Sequence, residues 1–67
     1  MKISDAFEIA PKSENTLRRH GYEYKGLTFV ATYDHPCEYD VSHKSKSLGM
    51  IKYYRGRKLA AYRWKED

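Results

Sequence analysis

Four side chains in this sequence belong to the types that bind metals or act as nucleophile and base: His20, His35, Cys37 and His43. The last three run in the order H-x-C-x5-H. Structural zinc sites typically pair their ligands as C-x2–4-C or H-x3–5-H, and one residue between His35 and Cys37 is too tight for that. The expectation is a solvated turn with a lone thiol, without metal or cofactor. Cys37 and His43 also have the chemistry of a nucleophile and its base. No third orienting group accompanies them, because Asp34 and Asp40 read as ordinary turn and strand residues. His20, His43, Tyr54 and Arg55 could serve a small ribonuclease, as acid, base and phosphate-stabilising groups. Nothing in their spacing makes two of them converge on one phosphate. Gly21, Gly26, Gly49 and Gly56 are scattered and make no phosphate-cradling loop. No catalytic residue is assigned, and a non-enzymatic protein is expected.

Charge is the more informative pattern. The chain of 67 residues carries a net charge of +4. Residues 1–40 hold five basic and seven acidic side chains, a balance of −2. Residues 41–67 hold eight basic side chains against Glu66 and Asp67, a balance of +6. Such asymmetry points to a polyanionic partner. Lys52, Tyr54, Arg55, Arg57, Lys58 and Arg63 form the candidate binding surface, with Tyr54 interleaved among the cations. Lysine and arginine neutralise phosphates and release counterions, and a tyrosine ring offers a base about 1–3 kcal/mol of stacking. A two-stranded ribbon also fits a major groove. Cations on an outer strand face have a plainer use as well, since they keep a sheet soluble and discourage edge pairing.

The elements that must hold this surface are few. A chain this short makes one domain, 1–67. A drug-sized cleft of about 300–1,000 Å³ would hollow out its core, so no small-molecule substrate is expected. Leu, Ile, Val and Phe supply only 11 of the 67 residues, while ten aromatics compensate. The expected core is therefore aromatic. Domains of this size often need a staple. One cysteine excludes an internal disulfide, so a second copy or a partner is the expected source of added stability. The lone cysteine and the absence of a signal-like run in MKISDAFEIA suggest a cytoplasmic protein. The longest apolar stretch, residues 59–62, is too short to span a membrane.

Residues 1–12 read as an extended arm that lays Phe7 and Ile9 on the core, with Pro11 discouraging helix at Ala10. Residues 13–20 read as a short helix capped by Ser13 and stopped by Gly21. From Tyr22 the period is two, and residues 22–64 read as antiparallel sheet. Lys25-Gly26 is a hairpin turn facing Tyr24 with Leu27 and Tyr22 with Phe29. A loop over 34–38 would pair Tyr33 with Tyr39 and Ala31 with Val41. Lys44-Ser45-Lys46-Ser47 reads as a polar loop. Gly56-Arg57 reads as the last turn, pairing Tyr53 with Ala60 and Ile51 with Tyr62, with Trp64 beside Gly49. The result is an α+β, mainly β protein, a meander of four or five strands with one short N-terminal helix. A small barrel of SH3 or Sm type is the architectural alternative.

The sequence thus predicts a binding module that acts through a basic C-terminal hairpin on nucleic acid or a nucleoprotein complex. The alternative is a small inhibitor or adaptor, of the size class that phages and mobile elements encode. It would press the same hairpin on an acidic or nucleic-acid-binding protein site.

Overall fold

The computed structural model describes residues 1–18, 21–34 and 37–63. The alternation that begins at Tyr22 becomes five strands: β1 (Tyr22–Tyr24), β2 (Leu27–Ala31), β3 (Glu38–His43), β4 (Lys46–Tyr54) and β5 (Arg57–Arg63). Every neighbouring pair is antiparallel, and the sheet order follows the sequence, β1-β2-β3-β4-β5. Among the described residues β1 and β5 are its edges, and the sheet is an open meander. A short α-helix, α1 (Ile3–Ile9), and a 3-10 helix (Glu14–Arg18) precede the strands. α1 packs on β4 and β5, and the 3-10 helix packs on β1 and β2. Both cover one face of the sheet, and the core lies between.

That core combines Ile3, Ala6, Ala10 and Leu17 from the N-terminal segment with Leu27, Phe29, Tyr39, Val41, Ile51 and Tyr53 from the sheet. The strand residues among them sit at alternating positions, which is why one face is apolar. Its aromatic share is smaller than expected. Tyr33, placed inward by sequence, is fully exposed. Tyr54 and Tyr62 are exposed as well.

The N-terminal arm is a correction: residues 3–9 are helical. Ile3, Ala6, Phe7 and Ala10 are spaced i, i+3, i+4, i+7, and all four face the core. Two of them are alanines, which are good helix formers but weak as a hydrophobic signal. Asp5 Oδ2 accepts a hydrogen bond from the Lys2 backbone N–H at 3.2 Å, satisfying one orphan donor of the first turn. Ala10 is extended, with φ −54° and ψ 149°, as the residue before a proline should be. The helix expected over 13–20 is a 3-10 helix, Glu14–Arg18. Ser13 Oγ accepts from the Asn15 N–H, and Thr16 Oγ1 donates to the Ser13 carbonyl. Such local side-chain bonds compete with an α-helical ladder.

The first hairpin has the expected register, Tyr22 with Phe29 and Tyr24 with Leu27. The next pairing is displaced by two residues: Ala31 faces Tyr39 and Phe29 faces Val41. A shift of two keeps each side chain on its own face. It lengthens the loop, which the Thr32 N–H closes on the Glu38 carbonyl at 3.0 Å, and it leaves Tyr33 outside. The polar loop at 44–47 is also shorter than expected. Only Lys44 and Ser45 turn, both at positive φ, and β4 already begins at Lys46.

The last turn is Arg55-Gly56, one residue earlier than expected, again with positive φ at both positions. Two left-handed residues define the type I′ turn whose twist suits a hairpin. A bulge then leaves Leu59 unpaired between Tyr53–Lys58 and Lys52–Ala60. The early turn and the bulge together change what β5 presents. Ile51 faces Ala61 instead of Tyr62, Tyr62 turns outward opposite Met50, and Lys58 turns inward opposite the buried Tyr53. A second bulge leaves Leu48 unpaired in β4. Gly49 follows it at φ +150°, and a Cβ there would overlap the Tyr62 carbonyl oxygen. The position of Trp64 lies outside the described residues.

Candidate functional site

The last hairpin divides the six predicted contact residues into three groups. Tyr54, Arg55 and Arg57 come together at its turn. Tyr54 and Arg57 are direct cross-strand partners on the face away from the helices. Arg55 holds its guanidinium carbon 5.5 Å from the centre of the Tyr54 ring. The ring is 57% exposed, so its other surface remains open to solvent. Lys52 shares this outer face, but it is half-buried and pairs across the strands with Glu38.

Lys58 and Arg63 leave the group. Lys58 Nζ donates to the Phe7 carbonyl at 2.6 Å and to the Ala10 carbonyl at 3.0 Å, with a longer contact of 3.4 Å to the Glu8 carbonyl. It lies 5.0 Å from the Phe7 ring centre. It therefore caps the C-terminal end of α1, where a cation meets the negative end of the dipole. α1 has no basic residue in its own last turn. Arg63 faces Gly49 at the far end of β5, about 20 Å from Arg57 at the rise of a strand.

The structure adds a residue the sequence did not reveal. Ser13 forms an antiparallel bridge with Arg57, and the Glu14 N–H donates to the Gly56 carbonyl at 3.0 Å. These bonds bring residues 12–15 beside the turn, and an open groove runs between them. Lys12, Ser13, Asn15, Cys37, Arg55 and Arg57 contribute to its walls, as does Lys58, whose ammonium group is held by the α1 carbonyls. Lys12 sits in the acidic half of the chain, so only the long-range pairing marks it. Glu14 contributes a carboxylate to the same groove, but it is 6% exposed, and Oε2 accepts from Tyr39 Oη at 2.7 Å.

Two tyrosines hold this segment in place. Tyr39 binds Glu14, and Tyr53 Oη donates to the Pro11 carbonyl at 2.6 Å. Their rings meet edge to face, with centroids 5.7 Å apart. Burial, and then the Glu14 charge, hold the Tyr53 phenol well above its usual pKa, so it acts as a neutral donor. On the outer face, burial raises the Asp40 carboxyl above its usual range, and Oδ1 has no hydrogen-bond partner.

Other cations gather at the opposite end of the sheet. Lys25 and Lys44 occupy the turns β1–β2 and β3–β4, with Lys46 beside them. Lys25 lies 5.3 Å from the ring centre of the half-buried Tyr24. The described cations of the C-terminal half are therefore spread between two ends.

Among the described residues the catalytic constellations do not assemble. Cys37 and His43 flank the length of β3, about 20 Å apart, too far to share a metal or a proton. His43 pairs with Lys46 and is about 25 Å along β4 from Tyr54, so the ribonuclease set is separated as well. His20 and His35 lie outside the described residues. Among the described residues no three His, Cys, Asp or Glu side chains form a metal-binding group, and no helix is long and apolar enough to cross a membrane. Comparison with protein families, with curated proteins and with solved structures gives no match.

Proposed function

We propose that this protein is a non-enzymatic binding module whose β4–β5 turn and adjoining groove engage nucleic acid, free or within a nucleoprotein complex. The observation that carries this reading is that Arg55 and Arg57 stand beside the exposed ring of Tyr54 and also line, with Lys12, the adjoining groove. Arginine suits phosphate and base edges because its planar fork donates in pairs and stacks on aromatic rings. The opposite end groups Lys25, Lys44 and Lys46 with Arg63, and there the cation set over a ring is Lys25, on a tyrosine that is half-buried. That composition suits a solvated surface.

The revised set of contacts has a measurable consequence. Three phosphate-neutralising cations give a slope of log K against log salt of about −2 for a single strand and about −3 for a duplex. The five cations of the sequence reading would have given about −3.5 to −4.5. Fluorescence anisotropy with a labelled oligonucleotide across a salt series measures this. The triple variant Lys12→Gln, Arg55→Gln, Arg57→Gln should lose most binding to every sequence alike. Undiminished binding by that variant sinks the proposal.

A second reading is a protein-docking module, the inhibitor or adaptor class. It is favoured by Leu59 and Tyr62, exposed large side chains on β5 that contact no phosphate in the first reading. Salt-sensitive capture of one protein from a lysate treated with nuclease, together with no binding to free nucleic acid, would select it.

A further inference from the structure

We infer that the hairpin end takes single-stranded nucleic acid in preference to duplex, with Tyr54 as the platform for one unstacked base. The inference rests on the nucleic-acid reading above. Three observations carry it.

Tyr54 presents an exposed ring with Arg55 held 5.5 Å from its centre and Arg57 directly across the strands. One surface of the ring is thus backed by a cation and the other is open. An aromatic plane accepts a base whose own face is free, which a single strand supplies and a stacked duplex does not.

The turn does not project as an arm. Ser13 bridges Arg57, the Glu14 N–H binds the Gly56 carbonyl, and the Tyr53 N–H binds the Cys37 carbonyl at 2.8 Å. The N-terminal segment stands level with the turn on one flank, and on the other Cys37 pairs with Tyr53, two residues from the turn. A ribbon that reads duplex must enter a major groove about 8.5 Å deep. This hairpin end lacks that reach.

Acidic residues limit the footprint. Glu38 and Asp40 occupy successive outward positions of β3, one and two rows from Tyr54 on the same face. A duplex laid across that face would bring phosphates to both. A single strand can follow the groove past Lys12 and Arg57, where Ser13 and Asn15 offer hydroxyl and amide groups to sugars and base edges.

The test is anisotropy with one fluorescein-labelled 15-mer, alone and annealed to its complement, at equal salt. The protein is used intact, as wild type, Tyr54→Ala and Tyr54→Phe. Tyr54 is exposed, so both variants should keep the wild-type circular dichroism spectrum. The single strand should bind the wild type about tenfold or more tightly than the duplex. Tyr54→Ala should weaken the single strand at least about fivefold, the low end of a stacking contact, and leave the duplex unchanged. Tyr54→Phe keeps the plane and should stay within about twofold of wild type. Equal or tighter binding of duplex overturns the inference, as does an unchanged single-strand affinity in Tyr54→Ala. In both cases the nucleic-acid reading stands. Binding to neither probe overturns both.

Discussion

Lys58 is the residue on which sequence and structure assign opposite roles, and Lys58→Met separates them. Methionine keeps most of the stem that packs near Phe7 and removes the ammonium group. The Phe7 and Ala10 carbonyls then lose their donor. Hydrogen bonds to a charged group contribute about 1.5–3 kcal/mol each in net terms, and a cation at a helix C-terminus about 0.3–1 kcal/mol. Lys58 is half-buried and water can replace part of what is lost, so about 2–3 kcal/mol is expected in total. A 67-residue domain has about 3–10 kcal/mol of stability altogether. The loss should appear as a fall in Tm of about 10–20 °C and as a lower urea midpoint with an unchanged slope. Arg57→Gln, which removes an exposed cation one residue away, should stay within about 0.5 kcal/mol of wild type. At a temperature where Lys58→Met is folded, its affinity for an oligonucleotide should equal that of wild type. A stability loss no larger than that of Arg57→Gln would refute the capping role. Normal stability with weakened binding would restore Lys58 to the interaction surface.

Three further substitutions test how the groove and sheet are held. Tyr39→Phe removes the donor to Glu14 Oε2 and leaves a buried carboxylate short of a partner. It should cost about 1–3 kcal/mol in urea denaturation at pH 7. Gly49→Ala places a methyl group against the Tyr62 carbonyl oxygen at a left-handed φ. It should cost more than about 3 kcal/mol or prevent folding, whereas Ser47→Ala, two residues away and exposed, should be near neutral. Asp40→Asn reports on the raised carboxyl. A carboxyl whose folded pKa lies above its unfolded value favours the fold most below the unfolded value of 3.8, and that contribution is lost as pH rises through the folded pKa. The variant should thus be more stable than wild type at pH 7, with the advantage disappearing below about pH 4. Melting curves at pH 7 and pH 3 measure the difference.

The sheet was legible because period-two patterning acts locally. Tyr39, Val41, Ile51 and Tyr53 all face the core as their spacing predicts. The turn at Lys25-Gly26 came with its register for the same reason. What spacing does not encode is where a bulge inserts an extra residue. Leu59 and Leu48 look like ordinary alternating positions, yet each shifts everything beyond it by one. The bulge at Leu59 moved Tyr62 outward, while the early turn set Lys58 opposite Tyr53. α1 escaped notice because half of its buried stripe is alanine and because the cation at its C-terminus arrives from β5. Tyr54, Arg55 and Arg57 stand together at the turn, as their order along the chain suggests. Lys12 carries no such sign, since it reaches them only through the Ser13–Arg57 bridge. The bonds from Tyr39 and Tyr53 to Glu14 and Pro11 are similarly long-range, and they convert two core tyrosines into the anchors of the groove.

The central claim is that the cations at the β4–β5 turn, and not those at the opposite end of the sheet, meet the partner. Backbone amide shifts of 15N-labelled protein, followed while a 15-mer oligonucleotide is added at low salt, test it most directly. The largest changes should fall on Lys12, Ser13 and residues 54–57, with Arg63 little affected. Changes centred on Lys25, Lys44 and Lys46, or no changes at all, would contradict it.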